Sequence, residues 1–207
     1  MQMVFPKIED VMNQIGKYKY FTTLNMLSGY YHIEVPEEYR QYMAYGVAEM
    51  GSFQPIRMFF GLKNVPAFYQ KTIQQILNEV ILRGWAAVYI DDIVIGADTK
   101  EELLERTRIT LEKLRKGGLK AKLSKCEFEK EEVELLGWTI SQNKRKITEK
   151  RVKAIHDWNY GEKMESFLGV IIYISKFIPA KAELLTLIKE TIERTINKKE
   201  GKKGVAK

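Results

Sequence analysis

The sequence predicts an α+β fold: a mostly antiparallel sheet with helices on one face. Three observations carry this. An apolar, β-rich run over residues 86–95 is interrupted only by Asp91-Asp92, so it reads as a tight strand–turn–strand hairpin. Amphipathic helical patterns flank that run on both sides. An earlier β-rich stretch, residues 20–24, is placed to run beside the hairpin and point residue 25 at its tip.

The elements follow in order. Phe5-Pro6-Lys7-Ile8-Glu9-Asp10 leads into a short helix over 11–16 that Gly16 ends. After the strand at 20–24, aromatic and alternating apolar residues continue to Tyr45. Gly46 and Gly51 then mark turns, giving a hairpin over about 41–58. Pro66 opens a helix whose apolar residues Ala67, Phe68, Ile73, Ile76, Leu77 and Val80 recur at helical spacing up to Gly84. The Asp-Asp hairpin comes next. Thr99 caps a helix over 99–116, with Glu101 and Glu102 in its first turn and Gly117-Gly118 at its end. Its apolar side carries Leu103, Leu104, Leu111 and Leu114.

Residues 126–129 and 133–140 read as short strands with a charged turn between them. Beyond Ile147 the pattern is helical only, over 149–158, 163–177 and 183–196, with Pro179 as a stop. The expected organisation is a mixed unit over 1–147, a helical segment over 148–196 and a basic, frayed tail over 197–207.

The net charge of +7, from 34 Lys and Arg against 27 Asp and Glu, favours polyanionic partners, nucleic acid first. No apolar stretch approaches a membrane span and no signal segment opens the chain. The single cysteine, Cys126, excludes an internal disulfide and offers no metal-site spacing. These features suggest an intracellular protein without a membrane partner.

Two carboxylates fixed side by side on a rigid tip repel each other unless a cation lies against them, and a divalent metal is the usual answer. Asp91 and Asp92 are therefore candidate metal ligands. A solvated turn is the alternative for the pair taken alone.

The motifs around the pair resemble the reverse transcriptase of gypsy-type LTR retrotransposons, and more distantly that of retroviruses. Tyr89-Ile90-Asp91-Asp92 matches the signature tetrapeptide. Phe21-Thr22-Thr23-Leu24-Asn25-Met26-Leu27-Ser28-Gly29-Tyr30 resembles the first catalytic motif, and Phe60-Gly61-Leu62-Lys63-Asn64-Val65-Pro66 the loop and helix that support template and nucleotide. Lys125-Cys126-Glu127-Phe128 and Leu136-Gly137-Trp138 look like the primer-grip region, and Ser166-Phe167-Leu168-Gly169 through Pro179 like the segment beyond the thumb. The resemblance runs from about residue 4 to about residue 180.

It implies a reverse-transcriptase palm with partial fingers and a helical, thumb-like C-terminal part. It also implies two Mg²⁺ ions, and as partners a primed RNA or DNA template, dNTPs and other parts of a Pol polyprotein. Asp91, Asp92 and position 25 would be catalytic. Tyr30 would be the gate against a ribose 2′-OH, Phe60 would sit beside the incoming nucleotide, and Leu136, Gly137 and Trp138 would grip the primer.

The chain departs from the pattern at five points. Asn25 stands where the family has an aspartate, so one metal-binding charge is missing. Leu27 replaces a common basic residue, and Phe59 a usual proline. The family's upstream fingers segment does not precede Phe5, and no complete ribonuclease H domain fits after Pro179, which is expected to leave palm apolar surface exposed. The expected function is template-directed DNA synthesis, impaired in this copy. The alternative is a catalytically dead domesticated or relic palm–thumb module that only binds nucleic acid.

Overall fold

The computed structural model describes residues 5–158, together with 169–172, 174, 182–183, 186–187 and 190–191. By contact the chain divides into two units, Met1–Lys146 and Ile147–Lys207. In the first, helix α1 (Ile8–Ile15) starts three residues earlier than its apolar spacing suggests. Lys7 is the extended N-cap, its carbonyl already accepts from Asp10 and Val11, and Glu9 and Asp10 sit where the helix dipole favours acids. Val11, Met12 and Ile15 form its buried face.

Strand β1 (Tyr20–Asn25) follows, with Phe21 and Leu24 buried. After a 3-10 turn over Gly29–His32 come a short helix α2 (Glu37–Arg40) and the hairpin of β2 (Tyr45–Val47) and β3 (Gly51–Phe53). Every residue of these two strands is exposed, and they pair only with each other.

The helix that Pro66 was expected to carry through to Gly84 is two helices, α3 (Val65–Ile76) and α4 (Asn78–Leu82). Leu77, at φ −98° and ψ 11°, leaves the helical region between them. The buried stripe is Val65, Tyr69, Ile73, Leu77 and Val80, and Phe68 faces solvent. Ile73, Leu77 and Val80 are thus buried as the spacing suggests, and Val65 and Tyr69 take the places expected for Ala67 and Phe68.

Strands β4 (Ala86–Tyr89) and β5 (Asp92–Ala97) form the Asp-Asp hairpin, buried along nearly its whole length. Helix α5 (Lys100–Lys116) begins at Thr99, whose hydroxyl accepts from the Glu102 N–H. It buries Leu103, Thr107, Thr110 and Leu114, whereas Leu104 and Leu111 are exposed. The 4-3-4 spacing selects two threonines over two of the expected leucines, and the Thr110 hydroxyl is satisfied by the Arg106 carbonyl.

Strand β6 (Glu127–Lys130) pairs with β1, and β7 (Glu132–Leu135), β8 (Trp138–Ser141) and β9 (Lys144–Ile147) make a separate three-stranded sheet. The central sheet has the order β4-β5-β1-β6, antiparallel throughout. Gln14 of α1 donates to the Ile81 carbonyl of α4 and the Ala86 carbonyl of β4, and Lys113 of α5 pairs with Glu79 of α4. The three helices thus form one layer against the sheet. Arg106 lies over the Tyr18 and Trp85 rings and donates to the Gly96 carbonyl, which fastens α5 to β5.

In the second unit, helix α6 (Glu149–His156) runs two residues short of the expected Trp158. Residues 169–172 are helical. Most of the expected segments over 163–177 and 183–196, and the tail over 197–207, lie outside the described residues.

Candidate active site

The antiparallel register of β1 on β5 sets Asn25 opposite Asp92, and that of β4 on β5 sets Tyr89 opposite Asp92. Ile90 and Asp91 are left as a two-residue turn. Asn25 Nδ2 donates to Asp92 Oδ1 at 2.9 Å, and the Met26 N–H donates to the Asp91 carbonyl at 2.9 Å. The end of β1 is therefore bonded to both aspartates of the tip, once through a side chain and once through backbone.

The turn is strained. Ile90 has φ 54°, a left-handed conformation that a β-branched residue adopts only under restraint. The restraint is Gln70. Its Oε1 accepts from the Ile90 N–H at 2.6 Å, and its Nε2 donates to the Val88 carbonyl at 3.0 Å. One buried amide on α3 thus holds the end of β4 and the first residue of the turn. Sequence reasoning passes over Gln70. The available signal is a polar residue on the buried side of an otherwise apolar helix.

Asp91 and Asp92 have different surroundings. Asp91 Oδ1 is buried with no hydrogen-bond partner, and so is the Tyr69 hydroxyl beside it. Burial pushes the Asp91 carboxyl up, and the nearby Asp92 charge adds to this. The Tyr69 hydroxyl and Lys125 pull the other way and lose. The Tyr69 hydroxyl is pushed far up by burial and by Asp91, so it stays a neutral donor. Gly29 closes over the two groups, and a Cβ there would lie inside the Tyr69 hydroxyl and 2.7 Å from Asp91 Oδ1.

Tyr30 and Phe60 are brought together. Their ring centroids are 5.0 Å apart, and Tyr30 also meets Tyr69 edge-on at 5.0 Å. Burial, and then Asp91, push the Tyr30 hydroxyl up. Phe60 is exposed.

On the other side, Asn25 and Asp92 open into a groove of about 780 Å³ that they share with Lys125, Cys126, Phe128 and Leu135. Leu136 and Gly137 form the β7–β8 turn beside that groove, both with positive φ, and Trp138 is buried at the start of β8. Leu27 is exposed, and its N–H donates to the Lys120 carbonyl.

Among the described residues no group of three or more Asp, Glu, His or Cys is placed to hold a metal ion. The donor set is two adjacent carboxylates and one amide. Asp91 and Asp92, adjacent carboxylates on a rigid turn with the neutral Tyr69 hydroxyl and the Asn25 amide beside them, are hard oxygen donors of the kind that suits a divalent cation. A second cation lacks its carboxylate, since position 25 presents an amide N–H₂ to Asp92.

The antiparallel palm, with an aspartate pair on a clamped hairpin facing the end of the first strand, defines a polymerase-type nucleotidyl-transfer fold. The model of the reverse transcriptase (RNA-dependent DNA polymerase) family matches residues 1–140, and the chain belongs to that family. It is 34% identical over 182 residues to the retrovirus-related Pol polyprotein from transposon 297 of Drosophila melanogaster, covering 86% of this chain and 17% of the relative. It is 31% identical over 176 residues to the Pol polyprotein from transposon gypsy of the same organism, covering 84% and 17%. The chain thus spans about a sixth of the length of these curated relatives.

Among solved structures it resembles the foamy viral protease-reverse transcriptase in complex with double-stranded DNA, at TM-score 0.82 and 20% identity over 94% of this chain and 35% of that one. The complex of the foamy viral enzyme with an RNA/DNA hybrid superposes equally well, at 21% identity over 94% and 26%. These confirm the expected palm fold. No described helix is long and apolar enough to cross a membrane.

Proposed function

We propose that this chain is the palm of a retrotransposon reverse transcriptase whose nucleotidyl-transfer chemistry is weakened at its centre. The observation that carries the reading is the tip itself: Asp91 and Asp92 on a Gln70-clamped turn, facing an asparagine at the end of β1. Asp91 and Asp92 would hold Mg²⁺, which when bound neutralises charge on the phosphate oxygens at the reacting centre. Tyr30 and Phe60 form the aromatic wall against which a dNTP sugar and base would rest. Leu136, Gly137 and Trp138 border the groove where a primer end would lie, with Lys125 inside it to meet a phosphate. The partners are then a primed RNA or DNA template and dNTPs, with other parts of a Pol polyprotein completing the enzyme.

Asn25 brings an oxygen without a negative charge. Losing one carboxylate ligand costs several kcal/mol of transition-state stabilisation, which at about 1.4 kcal/mol per tenfold is a thousandfold or more in rate. The amide bond from Asn25 to Asp92 also favours a second reading, a palm that binds primer–template without extending it.

Primer extension separates the two. The Asn25 chain and an Asn25→Asp version are each joined to a fingers segment and assayed with Mg²⁺. The impaired-enzyme reading expects extension by Asn25→Asp at least a thousandfold above the Asn25 form. Robust extension by the Asn25 form overturns the impairment. If neither extends, but both bind primer–template with steep salt dependence, the binding module takes its place.

A further inference from the structure

We propose that Tyr69 is a positioning residue of the tip, whose buried hydroxyl donates to Asp91 Oδ1 and fixes that carboxylate while its ring braces Tyr30. Tyr69 is 0% exposed, and its hydroxyl oxygen has no hydrogen-bond partner. Asp91 Oδ1 is equally buried and equally without one. One atom is a donor and the other an acceptor, and both converge on the same point above the Gly29 Cα. A buried polar group left unpaired is costly, and a single rotation of the hydroxyl and carboxylate toward each other satisfies both. Packing does not explain the oxygen, because a phenyl ring would fill the same space and meet Tyr30 edge-on in the same way.

The neighbouring residue strengthens the assignment. Gln70 holds the backbone of the turn at Val88 and Ile90. Tyr69, one position earlier on α3, faces the side chain of the same turn. Two consecutive residues of one helix therefore act as a jig, one for the main chain of the tip and one for its carboxylate. Tyr69 also stands between Asp91 and the Tyr30–Phe60 pair, at 5.0 Å from the Tyr30 centroid. A shift of Asp91 would be passed to the aromatic wall through this ring. The functional weight of the inference rests on the reading of Asp91 and Asp92 as metal ligands, whereas the hydrogen bond does not.

The test uses the full chain, isotopically labelled, with Tyr69→Phe. Three-bond couplings to the Asp91 side-chain carboxyl carbon report its χ1 rotamer. The wild-type chain is expected to show one staggered rotamer. Tyr69→Phe is expected to lose that pattern at Asp91 while the Asp92 couplings are kept, and to lower the melting temperature because it leaves the buried Asp91 oxygen without its donor. Unchanged Asp91 couplings overturn the proposal.

A second measurement needs no Tyr69 variant. The Tyr69 hydroxyl proton should exchange slowly and show a cross-peak to the Gly29 α-protons, both lost in Asp91→Ala. Persistence of the slow proton in Asp91→Ala overturns the pairing. Paramagnetic broadening by Mn²⁺ then tests the functional weight. The wild-type Asp91 and Asp92 signals are expected to broaden, with Tyr69→Phe needing about tenfold more Mn²⁺ for half the effect. Equal requirements in both forms overturn the positioning role. No broadening in either form overturns the metal-site reading and leaves the pairing to be decided by the couplings.

Discussion

Asp91 and Asp92 are adjacent in sequence and occupy opposite kinds of place. Asp91 points into the protein, under Gly29 and beside the Tyr69 hydroxyl, with one oxygen buried and unpaired. Asp92 begins β5, faces the groove and already has a partner in the Asn25 amide. Asp91 is therefore enclosed beside a neutral hydroxyl, while Asp92 meets the amide of the substituted residue at the edge of an open groove. The difference teaches that loss of the third carboxylate is felt unequally, because the substituted residue reaches only one member of the pair.

The largest effect expected of a single change falls on the Asp92 side. Asn25→Asp removes a hydrogen bond to a charged group and sets a third carboxylate against the pair. The metal-free chain should lose about 2–4 kcal/mol. Adding Mg²⁺ should restore most of that loss in Asn25→Asp and raise the parent melting temperature much less. Equal cation responses in the two melting series would remove the contrast between the aspartates.

Gly29→Ala strikes the Asp91 side. Its Cβ would collide with the Tyr69 hydroxyl and crowd Asp91 Oδ1, and Tyr69 is too enclosed to retreat. A loss of about 3 kcal/mol is expected in chemical denaturation, the upper end for overpacking. Gln70→Leu tests what the two aspartates share. It leaves the Val88 carbonyl and the Ile90 N–H without their partner, for about 2 kcal/mol, and should increase amide exchange at Ile90 and Asp91 together.

The smallest effect is a control remote from both aspartates. Glu79 is held below its ordinary carboxylate value of 4.5 by its hydrogen bond to Lys113, then by the charges of Lys113 and Arg83. A depressed carboxylate contributes stability above its unfolded pKa and loses it as pH falls through the folded value. Glu79→Gln should therefore cost a little stability at neutral pH, small because Glu79 is exposed, and that difference should vanish as pH falls below about 4.5 and Glu79 itself becomes protonated. A neutral-pH loss as large as that of Gln70→Leu would contradict this ranking.

The tip and its partner are legible in the sequence because strand alternation is local. An apolar run broken by two acids is a hairpin, and the strand before it has only one direction to point. The helices were less legible, because adjacent apolar residues leave the phase of the stripe ambiguous. Ala67 and Phe68 suggest one face, and packing chooses Val65 and Tyr69. That choice at the start of α3 turns Gln70 and the Tyr69 hydroxyl toward the hairpin, and polar groups give no apolar signal to find them by. Leu104 and Leu111 fail for the same reason, since Thr107 and Thr110 lie on the line between Leu103 and Leu114. Strand β9, Lys144–Ile147, was missed because three of its four residues read as a charged linker, and its place is set by pairing with β8. The β2–β3 hairpin falls inside the expected 41–58 range because its turn residues, Gly46 and Gly51, are local signals.

The hydrogen bond from Asn25 to Asp92 has an evolutionary consequence. By quieting the charge repulsion at the tip, the asparagine makes the metal-free fold easier to keep. Recovering the aspartate takes one base change, and its immediate product is a less stable metal-free fold. In the metal-free fold the change from aspartate to asparagine at position 25 is expected to be downhill, and the reverse change uphill until a cation binds the tip.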